Sequence, residues 1–306
     1  MTRFTIGRLI EMIPVLWIIV TFVFFLVRLA PGGPFDADRV VSEDVLQNLN
    51  AYYHLDWPLY RQYLDYMARL VQGDLGPSFK NANWSVNELI ALGFPVSLEL
   101  GLYALAIALS LGLLSGVLAA LRPNTLLDYI PMSFATLGIC VPTFVLGPLF
   151  LLVFALHLHW APVAGWEGVS HKILPSLTLG IVYAAYIARL TRGGMMEILT
   201  QDFIRTARAK GLSEARVVLR HALRGGIRPV VSFLGPAAAG LLSGSFVVET
   251  IFHVPGLGRF FVQSAFNRDY TMIMGTVLFY AVLILLFNLL VDIMLAWLDP
   301  RIRGAS

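Results

Sequence analysis

The sequence predicts an all-α membrane protein with six transmembrane helices and a small external segment after the first. Three observations carry that prediction. Of 306 residues, 58% are hydrophobic and only 13% charged, whereas a soluble domain has about 25% charged residues. The apolar residues are gathered into runs long enough to cross about 30 Å of hydrocarbon. The cations are unequally divided: with six spans and both termini cytoplasmic, inner segments carry 14 Lys/Arg and outer ones seven, with Arg28 at a boundary. That is the positive-inside bias. Membrane topology therefore accounts for the net charge of +3 without nucleic acid as a partner.

The elements follow in order. Residues 1–29 are a short basic end and a first span, Leu9 to Leu29. This run is longer than a signal-peptide core of about 7–15 residues and is expected to be retained. Pro14 should kink it, and Arg28 should reach outward to the membrane surface. Residues 30–94 are polar and acidic, with eight Asp/Glu against four Lys/Arg. They should form an external segment with short helices around Leu46 to Tyr53 and Pro58 to Val71, its aromatics serving as interfacial anchors and local core. Residues 95–299 are the core. Pro95 to Leu121 runs inward, Ile130 to Leu156 outward with breaks at Pro142 and Pro148, and Ile173 to Ile187 inward again. Val230 to Val248 is dense in Gly, Ala and Ser, the composition of a close packing face or of a passage wall. An outer re-entrant or loop element from Glu249 to Arg259 precedes the last span, Met272 to Trp297. Residues 300–306 end the chain in the cytoplasm.

The stretch from Arg189 to Arg228 (189–228) is the one long polar segment between spans that is strongly basic, with nine Lys/Arg against three Asp/Glu. Asp202 should cap a short helix from Phe203, and Gly211 should end it in the left-handed conformation, giving a rod of roughly 12 Å. Ser213 should cap a second helix with Ala215, Val218, Leu219 and Ala222 on one face. Arg216, Arg220 and Arg224 form a basic stripe along it. Attraction to anionic headgroups is one use for such a stretch; a docking helix is another.

Other chemistry finds little support. His157 and His159 are two residues apart, so they do not share a helical face, and no set of ligands completes a metal site. Ser243 lacks a positioned base at its depth and is not a nucleophile. Cys140 is expected in core packing. No GxxxxGK[ST] phosphate loop occurs, and Lys80, Lys172 and Lys210 are never preceded by Gly, so this chain does not bind ATP through that motif. Glu99 and Asp292 are costly in hydrocarbon and should face protein or water, either paired with a neighbouring helix or lining a pathway. Ser243, Ser245 and Glu249 are further candidates for pathway or helix-pairing positions.

The string FIRTARAKGL resembles the cytoplasmic coupling loop of type I ABC importer permeases. Ala207 and Gly211 match that pattern. Arg205 and Thr206 stand where the general family has Glu and Ala, and the distance from Gly211 to Pro229 is longer, as in the peptide-importer branch. RLAPGGP, HLDWPLYRQY, GDLGPSFK, VVETIFHVPGLGRF, NRDY and the terminal DPRIR extend the resemblance, over essentially the whole chain, to the B-type membrane subunit of oligopeptide ABC importers.

The resemblance implies a type I ABC importer permease fold in a bacterial inner membrane, and a chain that forms half of a translocation pathway by alternating access. Its implied partners are a second homologous permease subunit, two ATP-binding subunits, an external peptide-binding protein, the peptide substrate and membrane lipid. This chain would be non-catalytic and bind no cofactor; ATP and Mg would be used by the partner ATPase subunits. The implied contact with them is Phe203, Ile204, Arg205, Thr206, Ala207, Arg208, Ala209, Lys210, Gly211 and Leu212. The cations would make ionic contacts, Ala207 would permit close approach and Gly211 the turn. Permeases for dipeptides or nickel in the same family are the alternative. An ion-coupled secondary transporter is a more distant one, and the sequence has neither an obvious inverted repeat nor many intramembrane charges.

Overall fold

The computed structural model describes residues 2–30, 32–35, 43–242 and 245–298. Within them the architecture is helical, and the β-bridge between Pro77 and Ser85 is isolated. Five helical segments are long and apolar enough to cross a membrane: Thr5–Leu29, Val86–Leu121, Val169–Leu199, Arg228–Ile251 and Tyr270–Met294. A sixth span is assembled from two helices, Leu126–Cys140 and Thr143–His157, bent by 109° at their junction.

The first helix, α1 (Thr2–Leu29), continues through Pro14. In the external segment, α2 (Glu43–Tyr52) and α3 (Leu59–Val71) lie close to the expected positions. The next helix, α4 (Val86–Leu121), begins well before the predicted span start at Pro95, inside the stretch assigned to the external segment. The cause is a capping box: Ser85 Oγ accepts from the Glu88 backbone, and the Glu88 carboxylate accepts from the Ser85 N–H at 2.8 Å. Its 36 residues give a rod of about 54 Å, which exceeds the hydrocarbon thickness.

The sharp bend separates α5 (Leu126–Cys140) from α6 (Thr143–Phe150), which runs on as π-helical Leu151–His157. Pro142 disfavours helical geometry in the residue before it. Val141 accordingly sits at φ −87, ψ 115. Cys140, expected in the core, is exposed at this break.

The helix α7 (Val169–Leu199) packs along α4 as the principal pair of the core. Gly112 and Gly116 make the approach possible. A Cβ on Gly112 would lie 2.7 Å from Ile187 Cβ, and one on Gly116 would lie 2.5 Å from Thr191 Cβ. Apolar burial between helices is not driven by water inside a bilayer, so contact at short range has to hold them. Helix α7 also runs twelve residues past Ile187, so the first part of the basic stretch is a helical extension rather than loop.

The remaining elements are α8 (Asp202–Ala209), then α9 (Glu214–Arg216), π-helical Val217–Ala222 and α10 (Leu223–Gly226). They lead to α11 (Arg228–Leu242), α12 (Phe246–Ile251), α13 (Leu257–Asn267) and α14 (Tyr270–Leu298). Helix α14 packs on α1 and α11, and α13 lies across α4 and α14. Arg28, expected to reach outward, is engaged by the segment that follows α1. It stacks 3.6 Å over the Phe24 ring and donates to Gln62 Oε1 at 2.9 Å, because α3 folds back over the end of α1.

Candidate functional site

The basic stretch folds as a hairpin. Asp202 occupies the first turn of α8, where its charge suits the helix dipole, and not the cap position, which Gln201 takes without a side-chain hydrogen bond. Gly211 has φ +76, and the turn closes with its N–H on Arg208 O and the Leu212 N–H on Ala207 O. Arg208 clamps the far side of the turn. Its Nε and a terminal nitrogen donate to the two oxygens of Glu214 at 2.7 and 3.2 Å. Those hydrogen bonds push the guanidinium further above its ordinary pKa. Ser213 precedes α9 but makes no side-chain cap.

The face that the hairpin turns inward differs from the predicted one. Ile204 and Ala207 are buried, with Val217, Val218 and Ala222, against Met195 of α7 and Ala120 of α4. Ala215 and Leu219 are exposed. The π-helical turns at Val217–Ala222 cause the rotation, because one extra residue per turn carries Val217 inward and Leu219 outward. Ala207, predicted to permit close approach by another subunit, therefore packs on this chain's own helices. The outward surface consists of Phe203, Arg205, Thr206, Arg208, Ala209 and Lys210, all exposed, with Leu212 half-buried beside the turn.

The helix that carries the hairpin is braced by a buried ion pair. Asp128, only 2% exposed, receives Arg192 Nε and a terminal nitrogen at 2.6 and 2.7 Å and the Asn124 N–H at 2.9 Å. This bidentate pair locks the start of α5 to the C-terminal half of α7. Neither residue was singled out from sequence, although a lone Asp at a span boundary opposite an Arg was a usable signal.

The pathway candidates separate into different contacts. Glu99 on α4 accepts from Lys172 Nζ at 2.5 Å and from Trp166 Nε1 at 3.0 Å. Asp292 on α14 pairs with Arg8 at 3.2 Å. Glu249 is fully buried and accepts from Ser97 Oγ at 2.8 Å and the Arg259 N–H at 3.1 Å, while Ser97 Oγ accepts from the Leu257 N–H. A Cβ on Gly256 would lie 2.5 Å from the Glu249 carboxyl carbon, which is why the PGLG turn carries glycine where it folds over this acid. Ser245 caps α12 and lines a cavity of about 560 Å³ with Tyr183, Tyr186, Phe233 and Phe246. Ser243 lies outside the described residues.

Two family models match the chain. The binding-protein-dependent transport system inner membrane component covers residues 112–304, and the N-terminal part of the same transport-system membrane component covers residues 1–101. The chain is 49% identical over 305 residues to the oligopeptide transport system permease protein OppB of Haemophilus influenzae, covering 99% of this chain and 100% of that one. It is 47% identical to OppB of Escherichia coli K12 with the same coverage. It is also 47% identical to the dipeptide transport system permease protein DppB of Bacillus subtilis, over 99% of this chain and 98% of that one.

Among solved structures, an inward-facing MetNI methionine ABC transporter matches at a TM-score of 0.58 and 19% identity, over 69% of this chain and 97% of its own. An amino acid ABC transporter solved with histidines matches at 0.53 and 20% identity, over 68% and 93%. These likenesses establish the type I importer permease fold. The chain is a multi-pass membrane protein and belongs to the family of binding-protein-dependent transport system inner membrane components.

Proposed function

We propose that the chain is the transmembrane subunit of an ATP-driven oligopeptide importer, in which the α8 hairpin is the lever moved by separate ATP-binding subunits. The observation that carries the lever reading is the division of faces on α8. Ile204 and Ala207 fix it to α4, α7 and the π-helical turns, while Phe203, Arg205, Thr206, Arg208, Ala209 and Lys210 are presented outward. A helix held on one side by its own chain and apolar and cationic on the other moves as one body with its supports. Force applied to the outer face is then transmitted to α7 and, through Asp128 and Arg192, to α5.

In this reading a second, homologous permease subunit completes the passage, an external binding protein delivers peptide, and both termini are cytoplasmic. This chain hydrolyses nothing; the ATP-binding partners use ATP and Mg. A dipeptide cargo is the second reading, favoured by an identity to the Bacillus subtilis dipeptide permease equal to that with the Escherichia coli oligopeptide one.

Site-directed crosslinking tests the lever. In a Cys140→Ser background, needed because the native thiol is exposed, cysteines at Arg205 and Lys210 should crosslink to a co-purified ATP-binding subunit, and cysteines at Ile204 and Ala207 should not. Absence of a crosslink from the outward pair, or full-speed peptide uptake by vesicles lacking the ATP-binding subunits, overturns the proposal.

A further inference from the structure

The apolar side of α3 is wider than the part of it that the protein covers. At about 100° per residue, the side chains of this helix fall into three sectors. Tyr63, Tyr66, Met67 and Leu70 form the first and pack on Val20 and Phe24 of α1 and on Met274 and Leu278 of α14. Arg61, Asp65, Arg69 and Gln72 form the second, in which Arg69 and Asp65 pair at 3.0 Å. Between them runs a stripe of Tyr60, Leu64, Ala68 and Val71, all exposed, Leu64 by 61% and Val71 by 85%. The apolar arc therefore spans about 200°, where a helix in water that packs on one side needs only about 100°.

The two flanks of α3 face different surroundings. On the polar flank, Asp65 and Arg69 line a cavity of about 320 Å³ together with Arg28 and Gln62. On the other, Tyr63 stacks on Phe25 of α1 at 5.8 Å, and its hydroxyl lies 2.8 Å from Thr21 Oγ1. Phe25 belongs to a surface that α1 turns away from the protein. With Phe22, Leu26 and Leu29 it lines an apolar groove of about 510 Å³, within a segment long and apolar enough to cross a membrane. Tyr60 and Leu64 are the surface neighbours of Tyr63 and Met67 at a spacing of three, so the stripe continues the lipid-facing surface of α1. Thr21 is eight residues, about 12 Å, along α1 from Leu29. A contact at that level brings α3 to the depth, about 5–10 Å into the headgroup and acyl boundary, where interfacial helices rest.

We propose that α3 is a membrane-interface helix whose Tyr60, Leu64, Ala68 and Val71 stripe lies against lipid acyl chains around the C-terminal end of α1, so that lipid holds the external segment by one of its own helices. Exposed apolar area of this kind is costly in water and stable in a bilayer. Trp57 and Tyr60, at the start of the helix, are the residue types that favour such a boundary. The inference goes beyond the transport reading and does not rest on it, because lipid contact needs no ATP-binding partner and no peptide.

The test uses the full chain in phosphatidylcholine nanodiscs, alone and with its co-purified subunits, in the Cys140→Ser background. Nitroxide labels on Leu64→Cys and Val71→Cys are compared with one on Gln72→Cys, which sits at the same end of α3 as Val71 but on the polar flank. Each label is probed by collision with oxygen, which partitions into lipid, and with a nickel chelate, which stays in water. The oxygen-to-nickel ratio at Leu64 and Val71 should exceed that at Gln72 about fivefold or more. A smaller excess puts the stripe in water and overturns the proposal. Low collision with both reagents puts it under protein, whether a second copy or a co-purified subunit, and overturns it as well. Ala68→Cys, on the same stripe, replaces Leu64→Cys if that variant does not fold.

Discussion

The outer and inner ends of this protein are held by different physics. On the outside, buried acids gather backbone donors from distant segments. Asp269, 1% exposed, accepts from the Phe79, Lys80 and Met272 N–H groups and from the Ser78 and Thr271 hydroxyls, with Ser78 Oγ at 2.5 Å. Glu249 does the same for α4 and the PGLG turn. On the inside, the α8 hairpin is held by a small apolar patch, and its charges stay in water. An unsatisfied buried group is costly, so the outer networks specify one arrangement. The outward face of the hairpin pays no such cost and leaves Arg205 and Lys210 exposed; Asp128, buried between α5 and α7, is satisfied by Arg192 and the Asn124 N–H instead.

Four tests would break or sharpen that contrast. The largest effect is expected for Asp269→Ala, which strips several buried donors of their acceptor at once. The full chain in detergent should lose about 3 kcal/mol or more of unfolding free energy. A loss under about 1 kcal/mol would mean that the outer network does not specify the fold. Next is Ile204→Ala, a truncation at a fully buried site on the hairpin's inward face. It should cost about 2–4 kcal/mol in the same unfolding measurement, and a negligible cost would place that face in solvent.

Gly256→Ala should cost about 1–3 kcal/mol, since the new methyl collides with the Glu249 carboxyl and with Ser97. Pairing it with Glu249→Ala, which removes the carboxyl group, tests whether the collision is with that side chain; strictly additive losses would refute it. The smallest stability effect belongs to Arg205→Glu with Lys210→Glu, within about 0.5 kcal/mol of the unaltered chain, because both side chains are exposed. In reconstituted transporter this double variant should nevertheless hydrolyse ATP without matching peptide uptake. Preserved uptake would take the outer face of α8 out of the coupling.

The sequence was informative wherever the governing physics is local. Apolar run length gave the spans and Gly211 gave the end of α8, while the Lys/Arg bias supplies the orientation expected for them. The S-x-x-E signal at Ser85 and Glu88 was equally local, and it marks a helix start nine residues before the predicted one. The inward face of the hairpin was misread because helical spacing was assumed through Val217–Ala222, where the backbone winds as a π-helix. That winding is decided by contact with Met195 and Ala120, which no local pattern contains.

By itself, then, the sequence determined that the chain crosses a membrane as apolar helices and set apart its basic hairpin as the segment expected on the cytoplasmic side. Hydrophobic length and charge asymmetry are summed over neighbours along the chain. Only the tertiary structure decided which acids are structural, which way Ala207 faces and where Arg28 lies. Ser97 meets Glu249 across 152 residues, and Ser78 meets Asp269 across 191. Partners so far apart are chosen by packing in space, and the free energy that fixes them exists only once the helices have come together.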